Sequence, residues 1–287
     1  MTKEGGADAM EELHYRSSSE TFSVSHRKAL SHNMPVKHFH NTYEIFYLLS
    51  GKREFFIKDR TTVINEGDIV IISPNILHRT TNTEMPQHER LIVNIHEKHL
   101  AIADGSAADL LQQLLEREYV VIRSSPEDRP DAEALARRIV RELRERKAGF
   151  ETYMQTLTLQ LLIHCCRHWS HADAAALEFP SPMHERMSEV VQYINVRYPE
   201  ELSLHRLAET FYVSPYYLSR SFKEATGFTI VEYINSVRIK EAKKLLMRTS
   251  MQVQSIARKV GFGSVTQFGR VFKQVTGHPP LFYRKGK

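Results

Sequence analysis

The chain has 287 residues, of which 41% are hydrophobic and 25% charged, and a formal net charge of +5. That length suits two ordinary domains of about 100–150 residues, and no apolar run approaches the roughly 20 residues of a membrane span. The polar opening MTKEGGADAMEELHYRSSSE has no apolar signal region, and the two cysteines, Cys165 and Cys166, are adjacent. These features set aside a secreted, disulfide-stapled fold and suit free thiols in a reducing cytoplasm.

In chain order, residues 20–100 have the texture of β-structure. YEIFYLL, REFFIK, TTVI, DIVIIS and RLIVNI are short runs rich in Ile, Val, Phe and Tyr, divided by the turn signals SGKR, KDR, NEGD and SPN. Many short strands without intervening helix predict a sandwich or small barrel, which we place at 15–105. Inside it, VKHFHNTYEIFYLLSG sets His38, His40 and Glu44 at a spacing that could hold a metal ion or line a pocket for a small polar ligand.

From about Ala107 the period changes. ADLLQQLLEREY, DAEALARRIVRELRERK and TYMQTLTLQLLIHCCRHW carry apolar residues at helical spacing, so 106–170 is expected to be a helical dimerisation segment. Leu135, Ile139 and Leu143 share one face, which suits either the protein's own core or a helix–helix dimer seam. The stretch HADAAALEFPSPMHE has two prolines and little periodicity, and 171–182 is the predicted linker. Everything after it reads as helix, with no strand pattern.

Charge is unevenly spread. From Met183 to Lys287 there are 17 Lys+Arg against 8 Asp+Glu, so the basic excess lies in the last third of the chain and suggests a polyanionic partner. The same third contains a repeat. Arg220, Phe222, Lys223, Thr226 and Gly227 recur fifty positions later as Arg270, Phe272, Lys273, Thr276 and Gly277. Leu207-Ala208 matches Ile256-Ala257 at an offset one residue shorter, so the second copy has the longer turn. Each copy reads as a short helix, a tight turn and a second helix, the layout of a helix-turn-helix unit. Helical spacing buries Leu218 and Phe222 in one copy and Phe268 and Phe272 in the other. It exposes Tyr216, Ser219, Arg220 and Lys223 in the first, and Thr266, Gln267, Arg270 and Lys273 in the second. Arg and Gln suit purine edges in the major groove, while Lys and Ser suit phosphates.

With IARKVGF…FGRVFKQVTGHPPLFYR, the 183–287 segment resembles the DNA-binding domain of the AraC/XylS family of bacterial transcription regulators. The resemblance implies two helix-turn-helix units joined by a long helix, IVEYINSVRIKEAKKLLM. It makes 214–226 and 264–276 the recognition helices, entering successive major grooves of double-stranded DNA. The strand-rich half resembles the cupin domain common in such regulators. His38, His40, Glu44 and Gly51 complete the first cupin motif, and the second runs from Gly67 to His78. Ser73 and Asn75 stand where that motif usually has proline and glycine.

The expected fold is therefore α+β: a small jelly-roll barrel, then helices, then an all-α domain of two helix-turn-helix units. The expected function is that of a cytoplasmic, homodimeric, sequence-specific regulator, more often an activator, and not an enzyme. A small effector, a sugar by the polar and aromatic lining, would bind at His38, His40, Glu44, Tyr47 and His78. Tyr43 and Phe55 are further aromatic candidates, as strand alternation allows. RNA polymerase is a further implied partner. No cofactor is expected. The alternatives are a divalent metal at His38, His40, Glu44 and His78 that serves sensing, and a metal-dependent cupin enzyme fused to a DNA-binding module.

Overall fold

The computed structural model describes residues 9–30, 40–82, 87–100, 105–123, 125, 127–168 and 179–284. The strands among the described residues are β1 (Ala9–Arg16), β2 (Phe22–Ala29), β3 (Tyr43–Ile57), β4 (Arg60–Asn65), β5 (Ile69–Ile72), β6 (His78–Asn82), β7 (His88–Ile95) and β8 (Tyr119–Ile122). Helix α1 (Gly105–Leu115) precedes β8, and α2 (Arg129–Glu145) and α3 (Phe150–His168) follow it. The C-terminal part is α4 (Pro182–Arg197), α5 (Leu204–Thr210), α6 (Pro215–Thr226), α7 (Ile230–Arg248), α8 (Val253–Lys259) and α9 (Val265–Thr276). Strands, then helices, then two helix-turn-helix units is the order the sequence predicts.

Strand β3 organises the sheet. Its first part pairs antiparallel with β5 and β7, and its second part pairs with β4 and β6. The register against β7 shifts between Leu48 and Ser50, where the strand passes from one sheet to the other. Gly51 sits just beyond, at φ +91°, and a Cβ there would lie 2.4 Å from the Gln87 carbonyl oxygen. The glycine that closes the first cupin motif is thus required by the backbone. The large sheet runs β1-β2-β7-β3-β5-β8, and β4 and β6 pair only with β3 among the described residues, so the hydrogen bonding there does not close into a complete barrel.

Alternation along the strands divides the core. Ile45, Tyr47, Leu49, Leu91 and Val93 point outward and pack under α1, α2 and α3. Phe46, Leu48, Phe55, Ile57 and Ile92 point inward and pack together between the two sheets. Two expectations change here. The 106–170 segment, expected to be helical, contributes β8 to the sheet through YVVI, a continuous apolar run without the alternation that marks a half-exposed strand. The α2 stripe is spent inside the chain. Ile139 and Leu143 are buried in the core beneath the sheet and Leu135 packs against it, so these residues do not form a dimer seam.

In the C-terminal third, α7 belongs to two cores at once. Ile230, Tyr233 and Ile234 pack with α4, α5 and α6, whereas Ile239, Ala242 and Leu246 pack with α8 and α9. Its start is fixed by a capping box, with the Thr229 hydroxyl accepting from the Glu232 amide and the Glu232 carboxylate accepting from the Thr229 amide. The long joining helix is as expected. The linker at 171–182 falls mostly outside the described residues.

Candidate DNA interface and ligand site

The two recognition helices are built alike. Ser214 and Ser264 cap α6 and α9 with their hydroxyls, and Gly227 and Gly277 end them in the left-handed conformation. Leu218 and Phe222 anchor α6, and Phe268 and Phe272 anchor α9, all fully buried. The opposite faces are open. Tyr216, Ser219, Arg220 and Lys223 are exposed on α6, and Thr266, Gln267, Arg270 and Lys273 on α9. No ion pair occupies Arg220, Lys223, Arg270 or Lys273 among the described residues. Tyr212, missed in the sequence reading, lies in the turn before α6 at φ +53° and is 92% exposed beside this face. The second unit has Gly261 at the matching turn position, also with positive φ, and that equivalence is the signal the repeat alignment carried.

The predicted ligand residues divide. His38 lies outside the described residues. His40, Glu44 and His78 come together between the sheets, with one ligand atom from each within 4.8 Å of the others. The Nδ1–H of His40 donates to the Thr42 carbonyl at 2.8 Å, and its Nε2 lies 3.0 Å from Glu44 Oε2. The Nδ1–H of His78 donates to the Ile76 carbonyl at 2.9 Å, and its Nε2 lies 3.4 Å from Glu44 Oε1. Burial raises the Glu44 carboxyl, but the charge of His78 and the hydrogen bond from His40 outweigh it and hold the group well below its usual range. Burial lowers His78, and the Glu44 carboxylate outweighs that in turn, so the imidazole is raised. Fixing each Nδ1 on a backbone carbonyl aims both Nε2 atoms at one carboxylate, the orientation found in His₂-carboxylate metal sites. These residues therefore fit a divalent cation as well as a hydroxyl-bearing ligand.

Tyr47 is a correction. Glu44 faces inward, so three residues on Tyr47 faces outward, into the core under α2 and α3. Tyr43 packs on the same outer side, and of the aromatic candidates only Phe55 points inward, its ring stacked 6.2 Å from His78. Asn75, where a glycine is usual, adopts φ +64°, a conformation that asparagine tolerates better than most residues.

The sequence reading also missed two inward arginines. Arg53 lies in phase with Phe55 and Ile57, and Arg90 in phase with Ile92, so both project between the sheets and are buried. Alternation from those apolar neighbours was the available signal.

The sheet and the first helix-turn-helix unit share a core. Phe56 and Leu77, on the outer face of β3 and just before β6, pack among Phe222, Phe228 and Tyr233. Thr61 Oγ1 donates to the Ala225 carbonyl at 2.6 Å, and Tyr233 donates to the Lys58 carbonyl at 3.0 Å. The Arg79 guanidinium lies 6.0 Å from the Phe228 ring, and a Cβ at Gly227 would meet the Arg79 side chain at 2.4 Å.

Two family profiles match the chain, an AraC-like ligand binding domain over residues 22–162 and a helix-turn-helix domain over 207–286. An uncharacterised HTH-type transcriptional regulator of Bacillus subtilis, YisR, is 24% identical, with 87% of this chain and 88% of that protein covered. The bifunctional transcriptional activator/DNA repair enzyme AdaA of the same organism is 36% identical, but over 36% of this chain and 52% of its own length. Among solved structures, ToxT from Vibrio cholerae is similar at 17% identity, covering 93% of this chain and all of that one, with a TM-score of 0.37.

Proposed function

The chain belongs to the AraC family of DNA-binding transcription regulators with an N-terminal ligand-binding domain, and on that premise we propose that a small molecule held between its sheets controls how it presents its recognition helices. The observation that carries this is the alternation of two strands. His78 points into the site while its neighbours Leu77 and Arg79 point into the first helix-turn-helix unit. Phe55 and Phe56 divide in the same way on β3. A ligand that displaces His78 or Phe55 therefore moves side chains packed on the C-terminal end of α6. Linkage then requires DNA and effector to alter each other's affinity equally.

Imidazole, carboxylate and ring faces together suit a hydroxylated, carbohydrate-like effector. Activation of transcription, contact with RNA polymerase, action as a homodimer and a cytoplasmic location complete the proposal. The chain acts as a regulator and not as an enzyme. The test is the Arg79→Ala variant, assayed with a metabolite fraction that changes wild-type DNA affinity. It should keep its basal DNA affinity and the ligand-induced rise in melting temperature, yet lose the ligand-dependent change in DNA affinity. An unaltered ligand effect on DNA binding would refute the relay.

The shared aim of the two Nε2 atoms favours a second reading, in which His40, Glu44 and His78 hold a divalent cation that anchors an effector oxygen. Elemental analysis of untagged protein should then find stoichiometric metal, lost in His78→Ala. Protein without metal, whose DNA binding ignores chelators, would exclude this reading.

A further inference from the structure

Arg90 poses a problem that the His–Glu cluster does not solve. It is 7% exposed, and its Nε and Nη1 are buried with no hydrogen-bond partner. No carboxylate pairs with it among the described residues. Glu44 is engaged by His40 and His78, and Glu12 is paired with Arg27. The residue opposite Arg90 on β2 is Arg27, another cation. Arg53, 1% exposed, lies close enough for the two guanidinium charges to repel. Burial, and then Arg27, lower Arg90 to about 10, so it stays protonated near neutral pH. Glu44 and Glu12 favour the charge without pairing with it, and the Phe46 ring lies 6.0 Å away.

A buried cation with unsatisfied donors and no directly paired carboxylate lowers stability, and such groups persist where function needs them. A guanidinium is shaped to grip a planar or tetrahedral oxyanion with two parallel N–H donors. We propose that Arg90, with Arg53 beside it, is an oxyanion subsite between the sheets, so the effector is an acid carrying a carboxylate or a phosphate. This rests on the reading of the N-terminal domain as the effector domain, and deepens it. The order of side chains fixes the ligand's direction. Phe46 and Phe55 meet edge to face at 5.0 Å between Arg90 and His78, so the acidic end sits at Arg90 and the hydroxylated end reaches His40, Glu44 and His78. A sugar acid or sugar phosphate has this polarity and a neutral sugar does not.

The test is thermal unfolding of the full chain at constant ionic strength, with chloride replaced by inorganic phosphate or by acetate. Either anion should raise the wild-type melting temperature, and phosphate alone or acetate alone would identify the acidic group. Arg90→Met should lose that response while keeping its DNA affinity, and should melt no lower than the wild type in chloride. Should Arg90→Met fail to fold, Arg90→Lys carries the test, because it keeps the charge without the fork and should show a reduced response. The inference is overturned if neither anion shifts the wild type, or if the variant responds as the wild type does. A shift with neutral galactose and none with either anion would overturn it too, and would leave the effector domain standing.

Discussion

At the level of single residues, the DNA face and the ligand site differed in how far the sequence disclosed them. Arg220 and Arg270 are exposed above buried Phe222 and Phe272 because a helix places i and i+2 on different faces, and the repeat marks both copies. Replacing either arginine by alanine should relax sequence choice, at about 1–3 kcal/mol per lost bidentate base contact. Competition with variant DNA sites would check it, and equal weakening on every sequence would restrict the residue to phosphates. Lys273→Ala should reduce the slope of log affinity against log salt by about one. Between the sheets the phase of β3 was not legible, because Glu44 through Leu49 are all buried and neither face of the strand carries a polar stripe. That is why Tyr47 looked like a ligand residue. One buried acid also sets a pH dependence. Burial raises Glu89, but the hydrogen bond to His26 and the ion pair with Arg137 outweigh it and hold the carboxyl below its ordinary 4.5. Its contribution is complete above the ordinary value and disappears as pH falls through the depressed one. Glu89→Gln should lower stability near neutral pH by about 1–3 kcal/mol. The gap from wild type should close in acid, as read from melting temperatures across pH.

Helices and strands were legible wherever one face met water. The caps Ser214 and Ser264 and the terminators Gly227 and Gly277 bound α6 and α9 where the repeat placed them. The sequence failed at β8, a four-residue apolar run paired with β5, because a strand buried on both faces has no period to read. It was ambiguous at α2, where an apolar stripe looks the same whether it meets a sheet or a second subunit. The packing resolves that case. Ile139 is fully buried against the sheet core, so Ile139→Ala should cost about 2–5 kcal/mol of stability by leaving a cavity. The folded variant should keep the wild-type oligomeric state in sedimentation. A change of assembly state at equal folded fraction would return the stripe to a subunit interface.

Across the whole molecule, the sheet domain is held between two helical layers with different tasks. On one side α1, α2 and α3 close its outer face. On the other, Phe56 and Leu77 complete the core of the first helix-turn-helix unit, while the core of the second takes no sheet residue among those described. One DNA-reading unit is therefore fixed to the ligand domain, and the other follows through α7. Both recognition faces remain open in this arrangement. We expect the two units to read successive major grooves, and footprinting on DNA selected for binding checks this. Two protected patches should lie on one face of the duplex, about 10 base pairs apart, with Arg220→Ala weakening one patch and Arg270→Ala the other. A single patch, or one insensitive to either substitution, would contradict it.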